Sequence, residues 1–534
     1  MEHPGIINKY DYQNKFIAGS AVITAVFLLT RLMYYLYYPV VDISADSASY
    51  CAIALKMLDL SFPLFDMRTP GYPFLLTFVF LISKNFILTY VFQSLIALFS
   101  ALFLYRTICR YYTSEALYFA AAISVFITST FFLVLEFSVL SESLFVSFIM
   151  INCSYLLRSL KDNRTSDWIL FSVTAAILII IRPAALFLIP VIFVILVFFI
   201  INKYDIRKYT SLILPMTVLI LSMCAYNYFT LKKFTISPVG DLSFFATTIL
   251  YMEESPDYPP EINSAIKITL DSIPKKERAY VKDPKEIKKL FRIFNDNLFR
   301  SWRFVGFVMK EDSTLTYMDI QPYLAQITKK AIINNPAVYA RILISNLYQF
   351  MNNISEEMKF FSQLSRSYQR IYADNYYVKI LEDDYWEQFY SDKTAAAEVI
   401  ELYNMQVNDH GRFEYVKYSD GSVLFQDTLL KQMFEVYERF CNYLFRNIIW
   451  IYIFIMNFAL SAYMVIKTKF KDPGIFIPFI FGFMFMMNAL FISILGTSIT
   501  RYSYILEFIL YFSIPFLIYQ IKNFRTQIKQ TGNK

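Results

Sequence analysis

The residues best suited to chemistry lie in one short segment, Val41–Tyr72, which stands between two apolar runs. It carries four aspartates and two cations, namely Asp42, Asp46, Asp59, Asp66, Lys56 and Arg68. Carboxylates held at a membrane surface are costly unless they bind or react with something. An ionised carboxylate can take a proton from a hydroxyl group and so act as a general base. The segment is therefore a candidate catalytic loop.

Asp46 and Asp42 are the two candidates for the base. If a helix begins near Ser44, Asp46 falls in its first turn, where the helix dipole favours the ionised form. The alternative is that Asp46 or Ser44 only caps a short helix at the membrane surface. Asp42 lies four residues before Asp46 and is its rival for the catalytic role.

Arginines in the same part of the chain could bind an anion. Arg68 precedes the segment Thr69–Pro73, whose prolines and glycine set a tight turn at the depth of lipid headgroups. A generic interfacial anchor is the alternative for Arg68. Arg182 is followed by Pro183 and interrupts an apolar stretch, so it needs an anion, either Glu142 or a bound phosphate.

Further polar residues belong to the same predicted cluster. Glu136 and Glu142 flank a short connection between two apolar runs, although Ser141–Glu142 could simply start a helix. Arg501 and Tyr502 stand at the start of the last apolar run. The whole set combines carboxylates with arginines, which are suited to bidentate phosphate contacts.

The scarcity of histidine excludes several kinds of chemistry. The chain has only two, His3 and His410, which argues against a histidine triad, a zinc site or a histidine proton shuttle. We expect no cofactor and no obligatory metal. A hard Mg²⁺ or Ca²⁺ held by Asp42, Asp46 and Glu142 is the form a metal would take. No glycine-rich phosphate loop and no nucleic-acid signature is present in the sequence.

Composition predicts an all-α polytopic membrane protein. The chain is 57% hydrophobic and 17% charged, against roughly 25% charged in soluble domains. Apolar runs of about 20 residues can each cross a membrane. Ten such spans are predicted, at about Phe16–Tyr38, Ile87–Tyr105, Ala116–Leu135, Glu142–Leu157, Trp168–Ile181, Ala184–Ile201, Tyr209–Phe229, Ile448–Ile466, Gly474–Gly496 and Tyr504–Tyr519.

The basic connections between spans predict the orientation. They are Arg106–Ser114, Arg158–Asp167, Asn202–Lys208, Lys467–Pro473 and the tail Lys522–Lys534. The positive-inside rule puts them in the cytoplasm with both termini, provided that the short run Pro73–Ser83 does not cross. The first loop (residues 39–72) and the long insert Thr230–Tyr443 then lie on the outer face.

Three regions follow from this topology. Residues 1–229 form a transmembrane module, and residues 444–534 form the last spans with a cytoplasmic tail. Between them, residues 230–443 have an ordinary composition with amphipathic runs at Pro284–Arg300, Ile320–Met351 and Thr428–Tyr443. We expect a mainly helical extracytoplasmic domain.

Residues from about 10 to 245 resemble GT-C glycosyltransferases. The nearest group is the bacterial family similar to dolichyl-phosphate-mannose–protein mannosyltransferases, which includes aminoarabinose transferases. The matching motifs are Asp46–Tyr50, Arg68–Pro73, Leu140–Phe145, Ile181–Pro183, and Tyr226–Tyr228 with Ser237–Leu242. Beyond residue 245, only the topology and Arg501–Tyr502 are similar.

The resemblance implies a polyprenyl-phosphate sugar donor, a lipid, glycan or protein acceptor, and an inverting displacement at the outer face of a bacterial inner membrane. It implies Asp46 as general base, with Asp42 and Glu142 as further acidic candidates. It also implies that the donor phosphate is bound within the set Arg68, Arg182, Arg501, Tyr502 and Tyr72. A phosphomonoester leaving group needs positive charge rather than a protonating acid.

Two other functions are alternatives to the transferase. A flippase or transporter for a lipid-linked glycan predicts broken spans and charges near the middle of the bilayer, often in internal repeats. The charges here lie near the ends of spans, and no repeat is visible. A glycan polymerase or ligase would be expected to carry its main site in a late outer loop.

The predicted topology can be tested directly. Tags within residues 230–443 should react with an impermeant reagent added outside the cell, and tags at either terminus should not. An even number of crossings before residue 230 would contradict the treatment of Pro73–Ser83 as a segment that does not cross.

Overall fold

The computed structural model describes residues 9–37, 41–43, 45–61, 63, 65, 68–280, 287–355, 398–399, 401–402, 416–417, 423–424, 428–445, 447–495 and 504–532. The first part of the chain is mainly helical where it is described. Its helices are α1 (Lys9–Tyr37), α2 (Ala45–Leu58), α3 (Gly71–Phe80), α4 (Phe86–Tyr111), α5 (Ala116–Ile127), α6 (Thr130–Glu136), α7 (Ser141–Asp162), α8 (Thr165–Ile181), α9 (Leu188–Ile201) and α10 (Ile206–Leu231).

Local signals in the sequence account for several helix ends. The side chain of Asn85 accepts a hydrogen bond from the backbone N–H of Ile87 at 2.8 Å and so caps the start of α4. Asn163 ends α7 in the left-handed conformation, with φ 53°, which asparagine tolerates better than most residues. Between these ends the helices pack through one continuous apolar core, in which α7 lies against both α4 and α8.

Within the described residues, seven helices are long and apolar enough to cross a membrane, and eight if the bent pair α5–α6 counts as one span. That pair bends by 59°, and Ser129 caps the start of α6 by accepting from the Phe132 N–H at 3.3 Å. The helical membrane fold is thus confirmed. Two predicted spans fall short of the same criterion, α8 with 17 residues and the last helix, so the count of ten stays a prediction.

The insert between residues 230 and 443 is mainly helical where it is described, and it has a core of its own. Its helices are α11 (Gly240–Ala246), α12 (Pro260–Ser272), α13 (Lys275–Tyr280), α14 (Ile287–Glu311), α15 (Tyr317–Asn334), α16 (Pro336–Ser355) and α17 (Thr428–Phe445). Two short strands, β1 (Val416–Lys417) and β2 (Val423–Leu424), pair antiparallel. The core is formed mainly by α11, α12, α14 and α15.

A proline divides one predicted amphipathic run into two helices. The sequence run Ile320–Met351 is continuous, but the structure ends α15 at Asn334 and begins α16 at Pro336. Asn335 has φ −133° and ψ 56°, outside the helical region, because the proline ring that follows disfavours a helical conformation at this residue.

The chain closes with α18 (Ile449–Lys467), α19 (Pro473–Ile494) and α20 (Glu507–Gly532). The insert packs against these spans: α16 lies along α19, and Asn346 donates to the backbone oxygen of Ser493 at 2.9 Å. In α17, the Tyr437 hydroxyl donates to the backbone oxygen of Thr128 at the end of α5. The end of the insert is therefore attached to the helical bundle, and α17 runs past the predicted boundary at residue 443.

A buried ion pair holds the bent pair α5–α6 to α1. The Arg31 guanidinium lies 3.2 and 2.5 Å from the two carboxylate oxygens of Glu136. It also donates to the backbone oxygen of Ile127 at 2.6 Å, and its carbon lies 3.7 Å from the centre of the Phe27 ring. Glu136 is thus a fully buried structural partner of Arg31, whereas the sequence pattern placed it in an acidic surface connection.

At the end of the bundle opposite the Arg31–Glu136 pair, basic side chains of the connections are paired with acids. Arg110 contacts Asp162 at 3.0 Å and Arg158 contacts Asp167 at 2.8 Å. Lys522 in α20 contacts Glu115 at 2.7 Å, which attaches the last helix to the start of α5.

Arg31→Met should destabilise the protein far more than Lys15→Met in the same helix. Removing one partner of a buried pair leaves an uncompensated charge and costs about 3–5 kcal/mol. Lys15 pairs with Asp11 at 3.0 Å, and Asp11 is half exposed, so that loss should be about 0–1 kcal/mol. Thermal unfolding of the purified protein in detergent compares the two, and equal shifts would contradict a stabilising role for the Arg31–Glu136 pair.

Candidate active site

The first loop brings Asp46 and Arg68 into direct contact. The helix α2 begins at Ala45, so Asp46 lies in its first turn as predicted. One carboxylate oxygen of Asp46 is 2.5 Å from Nη2 of Arg68. Both side chains remain accessible, with 31% of the Asp46 and 25% of the Arg68 side chain exposed. This is a charged pair that a substrate can reach.

The next turn of α2 orients the Arg68 guanidinium. Its Nε donates to the Ser49 hydroxyl at 2.8 Å, and that hydroxyl donates to the backbone oxygen of Asp46 at 2.7 Å. The guanidinium carbon also lies 4.9 Å from the centre of the Tyr50 ring, within the range of a cation–π contact. Three neighbouring residues of α2, namely Asp46, Ser49 and Tyr50, therefore hold Arg68.

A second ion pair lies beside the first and is almost completely buried. Nη1 of Arg182 is 2.8 Å from a carboxylate oxygen of Glu142 and 2.9 Å from the Ser141 hydroxyl. Only 10% of the Arg182 side chain and 1% of the Glu142 side chain are exposed. Arg182 reaches this position because its backbone is extended, with φ −150°, where Pro183 ends α8. The sequence expectation of a carboxylate partner for Arg182 is thus met by Glu142.

Tyr50 and Ser141 join the two ion pairs. Their hydroxyl groups are 3.0 Å apart and hydrogen-bonded. Tyr50, whose ring contacts Arg68, is thereby linked to Ser141, which contacts Arg182. The Tyr72 ring packs edge-on against the Tyr50 ring, with centroids 4.9 Å apart. Tyr72 is fully buried. The site therefore draws on α2, the start of α3, the start of α7 and the end of α8.

Tyr72 lies in α3, which is too short to cross a membrane, and burial raises its pKa well above the usual value, with nearby Cys51, Tyr50 and Glu142 adding to the shift. Its phenol is therefore protonated and donates to Oε1 of Gln93 at 3.0 Å. Its predicted contact with a donor phosphate stays a prediction.

Close packing fixes the chain that carries Arg68. The Thr69 hydroxyl donates to the backbone oxygen of Ile181 at 3.1 Å. A Cβ on Gly71 would lie 2.7 Å from Cα of Ile181, so only glycine allows the turn to approach the end of α8 this closely. The Tyr226 hydroxyl of α10 donates to the backbone oxygen of Pro63 at 2.9 Å and holds the middle of the same loop.

Asp42, the rival for the base, is fixed through its backbone. Its N–H donates to the oxygen of Phe137 at 2.8 Å, and its oxygen accepts from the Val139 N–H at 3.0 Å. This short parallel bridge opposite Ser138 joins the start of the first loop to the segment between α6 and α7. Three other predicted residues, Arg501, Tyr502 and Asp66, lie outside the described residues.

In the described part of the chain, no group of three or more His, Cys, Asp or Glu side chains is arranged to hold a metal ion. The two carboxylates of the site each contact an arginine instead. The expectation that no metal is obligatory stays a prediction.

Sequence reasoning missed the residues that connect the site. Ser49 and Tyr50 belong to a matching motif without a predicted role, and Ser141 was predicted only as a possible helix start. Gln93 was not singled out, although it is a lone amide within an apolar span. A polar side chain in such a span is unusual enough to have been a signal.

The fold and the site are those of a multi-pass helical membrane protein with a charged site at the ends of several helices. Residues 67–229 match a family model described as dolichyl-phosphate-mannose-protein mannosyltransferase. The match includes Arg68, Glu142 and Arg182, and it confirms the resemblance indicated by the motifs. It indicates a membrane glycosyltransferase; Asp46 lies before the matched residues.

No curated protein matches the chain at a significant level. Among solved structures, the chain is similar to an oligosaccharyltransferase from Archaeoglobus fulgidus in the apo form, with 11% sequence identity and a TM-score of 0.34. The similarity covers 94% of this chain and 51% of that one, so this chain spans about half the length of that protein.

Gly71→Ala should destabilise the protein, whereas Gly240→Ala should not. An added methyl group at Gly71 meets the backbone of Ile181, while one at Gly240 meets nothing within 4 Å. Overpacking of this kind costs about 1–3 kcal/mol, and alanine in place of glycine in a helix is otherwise neutral or favourable. Thermal unfolding in detergent measures both variants; a Gly71→Ala protein as stable as wild type would disprove the close approach.

Proposed function

We propose that this protein is a glycosyltransferase that moves a sugar from a polyprenyl-phosphate donor to an acceptor hydroxyl. The reaction takes place on the extracytoplasmic face of a bacterial inner membrane. The observation that carries the proposal is the accessible Asp46–Arg68 pair in the first turn of α2. It combines the two groups that such a transfer needs, a carboxylate to take a proton and a cation for the leaving phosphate.

The reaction is a single displacement that inverts the anomeric carbon. The acceptor oxygen attacks this carbon as the bond to the phosphate oxygen breaks, and Asp46 takes the proton of the acceptor hydroxyl. The bonding electrons leave with the polyprenyl phosphate, which gains negative charge. Arg68 stabilises this charge because a guanidinium binds phosphate oxygens in pairs. No acid is needed to protonate the leaving group.

Accessibility favours Asp46 over Glu142 as the base. Asp46 is 31% exposed, whereas Glu142 is 1% exposed and held by Arg182. A buried, paired carboxylate cannot easily reach a bulky acceptor, so Glu142 is better suited to hold Arg182 in place. Arg182 is the second candidate cation for the phosphate, because Ser141 and Tyr50 connect it to the Arg68 guanidinium.

The resting Asp46–Arg68 contact gives the donor phosphate a further role. An adjacent guanidinium favours the ionised carboxylate and so weakens it as a base. A phosphate that competes for Arg68 would draw the cation away from Asp46, and the loss of this ion pair would make the carboxylate a stronger base. Donor binding would then prepare the base, and the acceptor would react second.

Support for the donor class comes from the matched family, whose name specifies a dolichyl-phosphate-linked sugar. The absence of a glycine-rich nucleotide loop from the sequence agrees with a lipid-phosphate donor rather than a nucleotide sugar. The basic connections, whose side chains lie at the end of the bundle opposite the site, support the extracytoplasmic location.

Asp46→Asn should abolish most turnover while donor binding survives. Asparagine keeps the size and caps a helix nearly as well, but it cannot accept the proton, and loss of a general base costs about 10²–10⁴-fold in rate. The assay follows release of polyprenyl phosphate from labelled polyprenyl-phosphate mannose or aminoarabinose, with cell-envelope extract as the source of acceptor. Because Arg68 is released from its pair, Asp46→Asn should bind polyprenyl phosphate at least as tightly as wild type.

Three variants complete this experiment. Asp59→Asn is the matched control, because Asp59 is an exposed acid just after α2, and it should keep full activity. Arg68→Ala should weaken donor use, and Asp42→Asn tests the rival base. A folded Asp46→Asn protein with near-normal turnover would move the role to Asp42 or Glu142, and a wild-type protein that consumes neither donor would contradict the proposed donor class.

A further inference from the structure

Gln93 is a buried amide in the middle of a network that the proposed reaction does not use. It lies in α4 and is 1% exposed. Its Nε2 donates to two backbone oxygens, of Glu136 at 2.7 Å and of Ser138 at 3.1 Å. Its Oε1 accepts from the Tyr72 hydroxyl at 3.0 Å. The two backbone oxygens fix the orientation of the amide, because only its NH₂ group can donate to them.

These three bonds join two parts of the chain that border the site. On one side is the segment 136–139, whose backbone pairs with Asp42 at the start of the first loop. On the other side is Tyr72 in α3, which packs against Tyr50 beneath Arg68. Gln93 therefore connects the segment before Asp46 with the helix that follows Arg68.

We infer that Gln93 is a positioning residue that holds the two ends of the first loop against the α6–α7 segment. Its consequence for catalysis, the alignment of Asp46 with Arg68, rests on the proposed function. Gln93 acts through Tyr72, Tyr50 and the Asp42 bridge. Its three hydrogen bonds go to neither Asp46 nor Arg68, the residues proposed to take the proton and to bind the leaving phosphate.

The chemistry of the contacts explains why glutamine suits this position. An ionised glutamate would present oxygen to the two backbone oxygens. Leucine would remove the Gln93 bond from both oxygens and from the Tyr72 hydroxyl, although the Ser138 oxygen would keep the Leu140 N–H as a donor. Buried polar groups without partners are unfavourable. Either change should therefore loosen the contact between α4 and the segment 136–139.

The test compares hydrogen–deuterium exchange in the full-length protein, in lipid nanodiscs, for wild type, Gln93→Leu and Ser100→Ala. Ser100 is the matched control: it is buried in the same helix and donates only within it, to the Ala97 oxygen at 2.8 Å. In Gln93→Leu, peptides covering residues 41–46 and 136–142 should exchange at least about 10-fold faster, because the Asp42 and Val139 amides lose their support. Exchange equal to that of Ser100→Ala would overturn the inference.

Turnover of polyprenyl-phosphate mannose provides the second measurement. Displacing a reacting group by about 1 Å can cost up to roughly 100-fold in rate, so kcat of Gln93→Leu should fall about 10- to 100-fold. The donor KM should change less than about twofold, since Gln93 does not hold the donor. A purely structural role would lower the unfolding temperature but leave kcat of the folded protein unchanged, which would also overturn the inference.

The exchange experiment and a second variant separate failure of the proposed function from failure of the inference about Gln93. If wild type turns over no donor, the proposed function fails, while the exchange experiment still decides whether Gln93 positions the loop. If Gln93→Leu does not fold, Tyr72→Phe removes one of the three bonds and should raise exchange in the same two peptides by a smaller factor. No increase in either peptide would contradict the inference.

Discussion

A charge placed within an apolar bundle must be neutralised by a partner close by, and this constraint organises the site end of the protein. Three arginines there are each paired with a carboxylate from another element, as Arg31–Glu136, Arg182–Glu142 and Arg68–Asp46. The pairs differ in exposure, from the enclosed Arg31–Glu136 pair to the accessible Arg68–Asp46 pair. The enclosed pairs hold the backbone, whereas the accessible Arg68–Asp46 pair is the one to which the proposed function assigns the chemistry.

The buried ion pairs fix the helix ends to which the first loop is attached. Arg31 and Glu136 fix the bend between α5 and α6, and the backbone just after Glu136 pairs with Asp42. The turn at Gly71 packs on the end of α8, next to the extended residue Arg182. Consequently, each end of the first loop is attached to a helix end that is itself held by a buried ion pair. A loop anchored in this way can present Asp46 and Arg68 with little loss of conformational entropy on binding.

Local patterns in the sequence predicted the elements well and the pairings poorly. The first-turn position of Asp46, the short helix α3 and the need of Arg182 for an anion follow from rules that act over a few residues. The pairing of Arg31 with Glu136 joins residues 105 apart, and no local rule selects Glu136 from the other acids. Gln93 shows the same limit: its bonds go to backbone oxygens, which leave no trace in the sequence.

Because the chain has only two histidines, the base in the proposed function is an aspartate. A histidine base near neutral pH can be switched by small changes in its surroundings, whereas an aspartate, whose ordinary pKa is about 3.9, must be controlled by its partner instead. In the resting site that partner is Arg68, at 2.5 Å. A phosphate is the kind of ligand that can replace Asp46 at a guanidinium, because its two non-ester oxygens offer the same paired contacts. The leaving group would then prepare its own displacement, whereas a donor-free site would keep Asp46 paired with Arg68.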